Sequence, residues 1–304
     1  MRFKRFDLNL LVVLDTLLRE RSVSKAAEQL NLSQPATSAA LGRLRQYFND
    51  EILVLRGRRM VPTPHAQGIT PIVAKALADI EALISASTVF DPATSQRTFR
   101  ICASDYVTVV LLLPLLSELE KSAPNLRIEI TPPSPEALPA LERGEIDFLL
   151  TPEQYTAKDH PRKLLFEERH VVVGWNENPI FREPLTEEKF LEQGQVVIAL
   201  SHAPSFSEQE MGELNRRRRI DIVCSSFLAV PWLLPNTRRL AVMHERLARI
   251  MTGKHPLAIA PLPFAFPPMR EMVQHHAARD TDGGIQWFLQ RILERAAALR
   301  NESM

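Results

Sequence analysis

Residues 22–48, SVSKAAEQLNLSQPATSAALGRLRQYF, read as two short helices around a tight turn. Val23, Ala26, Ala27 and Leu30 recur at helical spacing, and Ser22 stands where the first helix needs a cap. Asn31-Leu32-Ser33 interrupts that pattern. Ser33 can accept from the free N–H groups of the second helix, and Pro35 fits its first turn because those groups lack intrahelical partners. Thr37, Leu41, Leu44 and Phe48 form a buried stripe, while Gln34, Ser38 and Gly42 lie opposite. Ala26 and Ala27 allow a close, steep crossing, the geometry of a helix-turn-helix. From spacing alone, a helical hairpin in an ordinary core is an equal reading.

The next residues shift the balance toward DNA. Ile52-Leu53-Val54-Leu55 and Met60-Val61 are short apolar runs joined by Arg56-Gly57-Arg58-Arg59, a hairpin tipped with arginine. Arginines pair with phosphates or enter a narrow minor groove, and a side-chain amide such as that of Gln34 reads base edges. The candidate DNA contacts are Ser33, Gln34, Pro35, Ser38, Arg43, Arg56 and Arg58.

The stretch from Phe6 to Pro64 resembles, without a gap, the DNA-binding domain of a LysR-type transcriptional regulator. The Ser-Val-Ser-Lys-Ala-Ala run, Leu-Ser-Gln-Pro-Ala and Pro-Thr-Pro carry the resemblance together. Leu44-Arg45 departs from the Leu-Glu of most members. With Phe48-Asn49-Asp50-Glu51, it is similar to the branch of nodulation-gene activators and regulators of nitroaromatic, naphthalene and chlorinated-aromatic breakdown. The resemblance implies a multidomain α/β chain: a winged helix-turn-helix, a long linker helix, and a two-lobed effector domain of periplasmic-binding-protein type. It further implies DNA, a small aromatic effector, RNA polymerase and a second copy of the chain as partners, in a dimer or tetramer, with no cofactor.

The 304 residues are ample for two or three domains, and 45% hydrophobic with 24% charged residues is ordinary for a globular protein. Net charge is +1, but residues 1–62 hold 11 Lys/Arg against 6 Asp/Glu, leaving an acidic remainder. A basic head on a mildly acidic body suits a DNA-binding domain fused to a sensor. No apolar run reaches the ~18 residues of a membrane span, and the start lacks a signal-peptide pattern, so a cytoplasmic location is expected. Cys102 and Cys224 lie far apart in apolar runs and read as buried thiols, not as metal ligands.

Thr63 can cap a helix whose first turn holds Pro64 and which runs to about residue 87. Its Val73, Ala76, Ile80 and Leu83 step in a short heptad seam. The pattern alone fits equally a helix packed on its own domain; the family resemblance implies a dimer seam. The expected domains are 1–62, 63–92 and 93–304. Lobe 1 of the last is about 93–168 with 270–304, and lobe 2 about 169–269, both read as parallel α/β arrangements. Ser207 and Glu210 suggest a capping box for a helix running to Arg216.

Ligands of such sheets sit beyond the carboxyl ends of strands. That nominates Ser104, Asp105, Thr151, His202, Phe206 and Phe227 as effector contacts, with Ser225, Ser226 and Trp232 nearby. For any one of them, capping a helix or facing solvent is the favoured reading; together they nominate the site. Glu168 and His170 flank the entry to lobe 2, and His170 is expected to donate to a phenolate or carboxylate and titrate near neutrality, or else to be a satisfied core histidine. The run Arg216–Arg219 reads as solvated charge at a helix end. No Gly-x-Ser-x-Gly elbow, phosphate loop or His-Glu-x-x-His occurs, so an enzyme is not expected; a free solute-binding protein is the other disfavoured class. With no cation firmly at a strand end, an uncharged or singly ionised aromatic is preferred, a phenol or chlorinated aromatic, with a flavonoid as the alternative.

Overall fold

Ser22 and Ser33 cap the two helices of the quoted stretch, the first accepting from the N–H of Lys25 at 3.4 Å and the second from that of Ala36 at 3.3 Å. A computed structural model describes residues 6–57, 59–86, 90–201 and 203–301, with backbone only for 78, 81–86 and 215. It divides into two compact units, the first made chiefly of residues 1–88.

The first unit contains α1 (Asn9–Glu20), α2 (Val23–Gln29), α3 (Gln34–Phe48), the hairpin of β1 (Leu53–Arg56) and β2 (Arg59–Pro62), and α4 (Pro64–Ala86). Asn31 and Asn49 adopt left-handed φ values of 52° and 50°, so each helix of the reading pair stops at a residue that tolerates that conformation. Leu14, Leu17, Leu44 and Leu53 are fully buried, each contributing about 1.5–3 kcal/mol by area. In α1 the core face is Leu10, Val13, Leu14 and Leu17. Leu8 and Val12 are exposed because they fall on the other side of that stripe.

Arg45 explains its own departure from the family pattern. Its guanidinium donates to the carbonyls of Glu51 at 2.9 Å and Leu53 at 3.1 Å, tying the end of α3 to the first wing strand. Within the wing, Arg56 pairs across from Arg59, so both belong to strands rather than to the tip. Gly57 sits at φ 62°, which a side chain would strain. Arg58 lies outside the described residues.

The second unit holds two mixed sheets. The first has the order β4 (Arg127–Thr131), β3 (Thr98–Cys102), β5 (Phe148–Pro152), β13 (Met269–Gln274), β6 (Arg162–Glu168). The second runs β10 (Arg219–Cys224), β8 (Gly194–Leu200), β11 (Leu240–His244), β7 (His170–Trp175), β12 (Leu257–Pro261), with the short β9 (Ala203–Pro204) beside β8. Helices α5 (Asp105–Val107) and α6 (Leu113–Ser122), joined by a π-helical turn at Thr108–Leu112, follow β3. After them come α7 (Ala137–Glu142), α8 (Glu187–Glu192), α9 (Phe206–Glu210), α10 (Val230–Leu233), α11 (Glu245–Thr252) and the closing α12 (Gly283–Asn301).

The sheets are not wholly parallel as expected. β6 passes into β7 and β12 into β13 with no crossover helix between them. Each sheet therefore takes in reversed strands: β13 is antiparallel to β5 and β6, and β7 to β11 and β12. The predicted helix from Ser207 to Arg216 also divides. Gly212 at φ 47° breaks it into α9 and a 3₁₀ segment. Ser207 is no cap, because its buried hydroxyl bonds that of Ser205 at 3.1 Å. Of the four arginines, Arg218 is buried on Glu208 and Gln195, while Arg216, Arg217 and Arg219 are exposed beside carboxylates.

Candidate functional site

Two surfaces of the first unit bear on nucleic acid. On α3, Thr37, Ala40, Leu41 and Leu44 face inward, which leaves Ser33, Gln34, Pro35, Ser38 and Arg43 exposed on the outer side. Gln34 and Ser38 are one turn apart on that side. The guanidinium of Arg43 stands 3.8 Å from Asp7 with both groups largely exposed, a pairing that solvent weakens. Arg56 is exposed on the wing. The structure thus brings helix and wing residues to the surface of one small domain.

On α4, Val73 is 5% exposed and packs among Leu14, Leu17 and Ala66 of the same unit, with Ile69 and Leu77 against it. That position belongs to the intramolecular reading of the seam, because α4 lies on α1. Ala76 and Ile80 remain half-exposed, and Leu83 falls among the side chains not described.

Between the two sheets lies a cavity of about 460 Å³. Strand ends and first helical turns supply its wall: Ser104 and Tyr106 after β3, Leu149 to Pro152 on β5, Ser205 to Ser207 at α9, Phe227 before α10, His244 at the end of β11, and Met269 and Glu271 on β13. Of the residues expected to meet an effector, Ser104, Thr151, Phe206 and Phe227 line it. Ser104 also caps α5, accepting from the N–H of Val107 at 3.2 Å.

Three expected contacts are placed otherwise. Asp105 turns to the opposite lobe, where its carboxylate accepts from the Ser226 hydroxyl at 2.7 Å and from the N–H groups of Phe227 and Leu228 at 3.3 and 3.2 Å. It fastens the lobes beside the cavity without lining it. Glu168 is fully buried behind the wall, accepting from the Tyr106 hydroxyl, from the Arg246 N–H at 3.2 Å and from its guanidinium at 2.7 Å. His170 is buried among Phe206, Phe266 and His244, ring centroids 5.6, 5.2 and 4.9 Å away, and neither ring nitrogen has a partner. Burial drives its pKa down to about 3, away from neutrality, and its unpartnered nitrogens set it apart from a satisfied core histidine. His202 lies outside the described residues. Trp232 is exposed, edge-on to His255, and offers the cavity nothing.

Among the wall residues missed in the sequence are Tyr106, His244 and Glu271. Tyr106 and His244 stack face to face, centroids 3.7 Å apart. Burial, then the neighbouring His170, holds His244 well below the usual imidazole range. His244 directly follows the run Leu240–Met243, so the strand-end rule that nominated Ser104 applied to it too. Glu271 carried no such signal, since it lies inside a strand, next to Arg270 in Met269–Gln274. Burial, then the charge of Glu168, lifts it to about 8. No lysine or arginine is among the lining residues described. Nor do three His, Cys, Asp or Glu side chains among the described residues gather as metal ligands, and no described helix is long and apolar enough to cross a membrane. Burial also lifts the Cys102 thiol to about 11, which leaves it inert at neutral pH.

Residues 8–67 match the model of the bacterial regulatory helix-turn-helix protein, lysR family, and residues 92–297 that of the LysR substrate binding domain. The chain is 42% identical over 301 residues to nodulation protein D 2 of Bradyrhizobium sp. (strain NC92), covering 98% of this chain and 89% of that one. It is 40% identical to nodulation protein D 1 of Rhizobium tropici, with 98% of each chain covered. Among solved structures, that of PA0477 from Pseudomonas aeruginosa, described as a probable transcriptional regulator, superposes with a TM-score of 0.65 at 31% identity, over 95% of this chain and 97% of that one. A full-length OxyR variant from the same organism superposes at 0.73 and 16% identity, over 96% and 95%, a likeness of fold alone.

Proposed function

Since the chain belongs to the LysR family of bacterial transcriptional regulators, we propose that its DNA grip is set by an uncharged, largely apolar aromatic bound between the two lobes. The observation that carries this is the cavity. Its volume falls within the roughly 300–1,000 Å³ of ligand sites, its wall sets Tyr106, Phe206, Phe227 and aliphatic residues among a few small polar groups such as Ser104 and Thr151, and no described lining residue is a lysine or arginine. Such a wall stacks on a flat ring and leaves a phosphate or dicarboxylate without the fixed positive charge that its burial demands. The cavity's size favours a two- or three-ring phenolic of flavonoid type over a single chlorinated ring. The relatives named for nodulation support the same choice.

In this reading a ligand touching both lobes stabilises one lobe angle, and α4 carries that preference to the heads of a homo-oligomer on DNA, where RNA polymerase responds. Gln34 and Ser38 read bases, and Ser33, Pro35, Arg43, Arg56 and Arg58 position the backbone. The protein works in the cytoplasm. The test is titration calorimetry of the full chain with naringenin, pentachlorophenol, benzoate and succinate. Naringenin is expected to bind most tightly, and Phe227→Ala to weaken it. Binding of succinate alone, indifferent to Phe227→Ala, would refute the reading.

A further inference from the structure

We infer that Glu271 is the residue that orients the effector, donating its carboxyl O–H from the cavity wall to an oxygen of an uncharged aromatic ligand. This rests on the cavity being the effector site, as proposed above. Glu271 is 1% exposed, stands in the cavity wall, and its Oε1 has no hydrogen-bond partner. A buried oxygen without a partner is unfavourable, so a ligand oxygen that brings this carboxyl into a hydrogen bond is held there.

The surroundings set its charge. On β6 stands Glu168, to which Tyr106 of α5 and Arg246 of α11 are bound; His244 ends β11 in the same wall, and His170 of β7 lies beside His244. The guanidinium of Arg246 is engaged by Glu168 and by the Glu167 carbonyl at 2.8 Å. The Glu168 charge and burial both oppose a second negative charge, and both histidines are held neutral. At neutral pH Glu271 is therefore an acid with a proton to give. A ketone or hydroxyl oxygen on a flat ring is what it recognises. A carboxylate would enter a largely apolar space with Glu168 behind the wall and no lysine or arginine among the described lining residues.

Affinity then follows the protonated fraction of Glu271. With its pKa at about 8, that fraction falls about tenfold from pH 6.5 to pH 9. Glu271→Gln keeps an N–H donor and does not titrate. Glu271→Met keeps length, removes the donor and relieves the buried acid. Naringenin binding to the full chain is measured for all three proteins at both pH values, with thermal unfolding as the check that each is folded. The ratio of wild-type to variant affinity cancels the ionisation of naringenin itself. That ratio should fall about tenfold between the two pH values against either variant. At pH 6.5 the Gln variant should stay within a few-fold of wild type and the Met variant should bind about tenfold more weakly. A ratio that does not change with pH against either folded variant overturns this inference while leaving the effector reading intact. Failure of wild type to bind naringenin at both pH values overturns the effector reading and this inference with it.

Discussion

His170→Phe should change the acid stability of this protein more than its stability at pH 7.5. The imidazole is buried in a box of Phe206, Phe266 and His244 with both nitrogens unpartnered, and its pKa is depressed to about 3. The unfolded chain accepts a proton near pH 6.5, which the folded chain refuses until about pH 3. Stability is thus complete above pH 6.5 and declines as the pH falls toward 3. From these two values the loss at pH 5 is about 2 kcal/mol, against almost nothing at pH 7.5. Phenylalanine keeps a flat ring among aromatic neighbours and abolishes this term. His244 carries a depression of the same sign, but it is present in both proteins. Thermal unfolding of wild type and variant from pH 7.5 to pH 5 should show the melting temperatures diverging by about 4–8 °C in the variant's favour, at roughly 2–4 °C per kcal/mol for a domain of this size. Any constant offset reflects packing and desolvation and decides nothing. Parallel curves, or a His170 ring signal titrating near pH 6.5 in the folded protein, would refute the reasoning.

Asp105→Ala removes the acceptor for the Ser226 hydroxyl and two backbone N–H groups, and should cost about 2–3 kcal/mol in urea unfolding, with Asp105→Asn costing less; an unchanged midpoint for the alanine variant would mean that the lobes are held elsewhere. Gln34→Ala should lose about 1–3 kcal/mol on operator DNA and little on random DNA, while Arg56→Ala should weaken both and flatten the salt dependence. Equal losses on both DNAs for Gln34→Ala would make it a backbone contact. Ile80→Asp, at a half-exposed position of α4, should dissociate dimers in sedimentation while Val73 stays packed in the head; dimers that persist would place the assembly contact off this helix.

The winged head was legible because its signals are local. A cap, a left-handed asparagine and an apolar stripe act within a few residues of one another, so Ser22, Ser33, Asn31 and the Thr37–Leu44 stripe carry their meaning in the chain itself. Strand ends in the second unit were legible for the same reason, and the residues they nominated include Ser104, Thr151, Phe206 and Phe227, which line the cavity. Direction of pairing was not legible, since β6 to β7 and β12 to β13 leave no crossover helix for the sequence to show. Nor was the division of labour among the polar residues. Asp105, Glu168 and His170 differ from Glu271 and His244 only in what distant parts of the chain bring against them: hydroxyl and backbone donors, a guanidinium, an apolar box, or a place in the cavity wall. Those neighbours are distant in the chain, and only tertiary packing decides whether a buried polar group is spent on the fold or left facing a cavity.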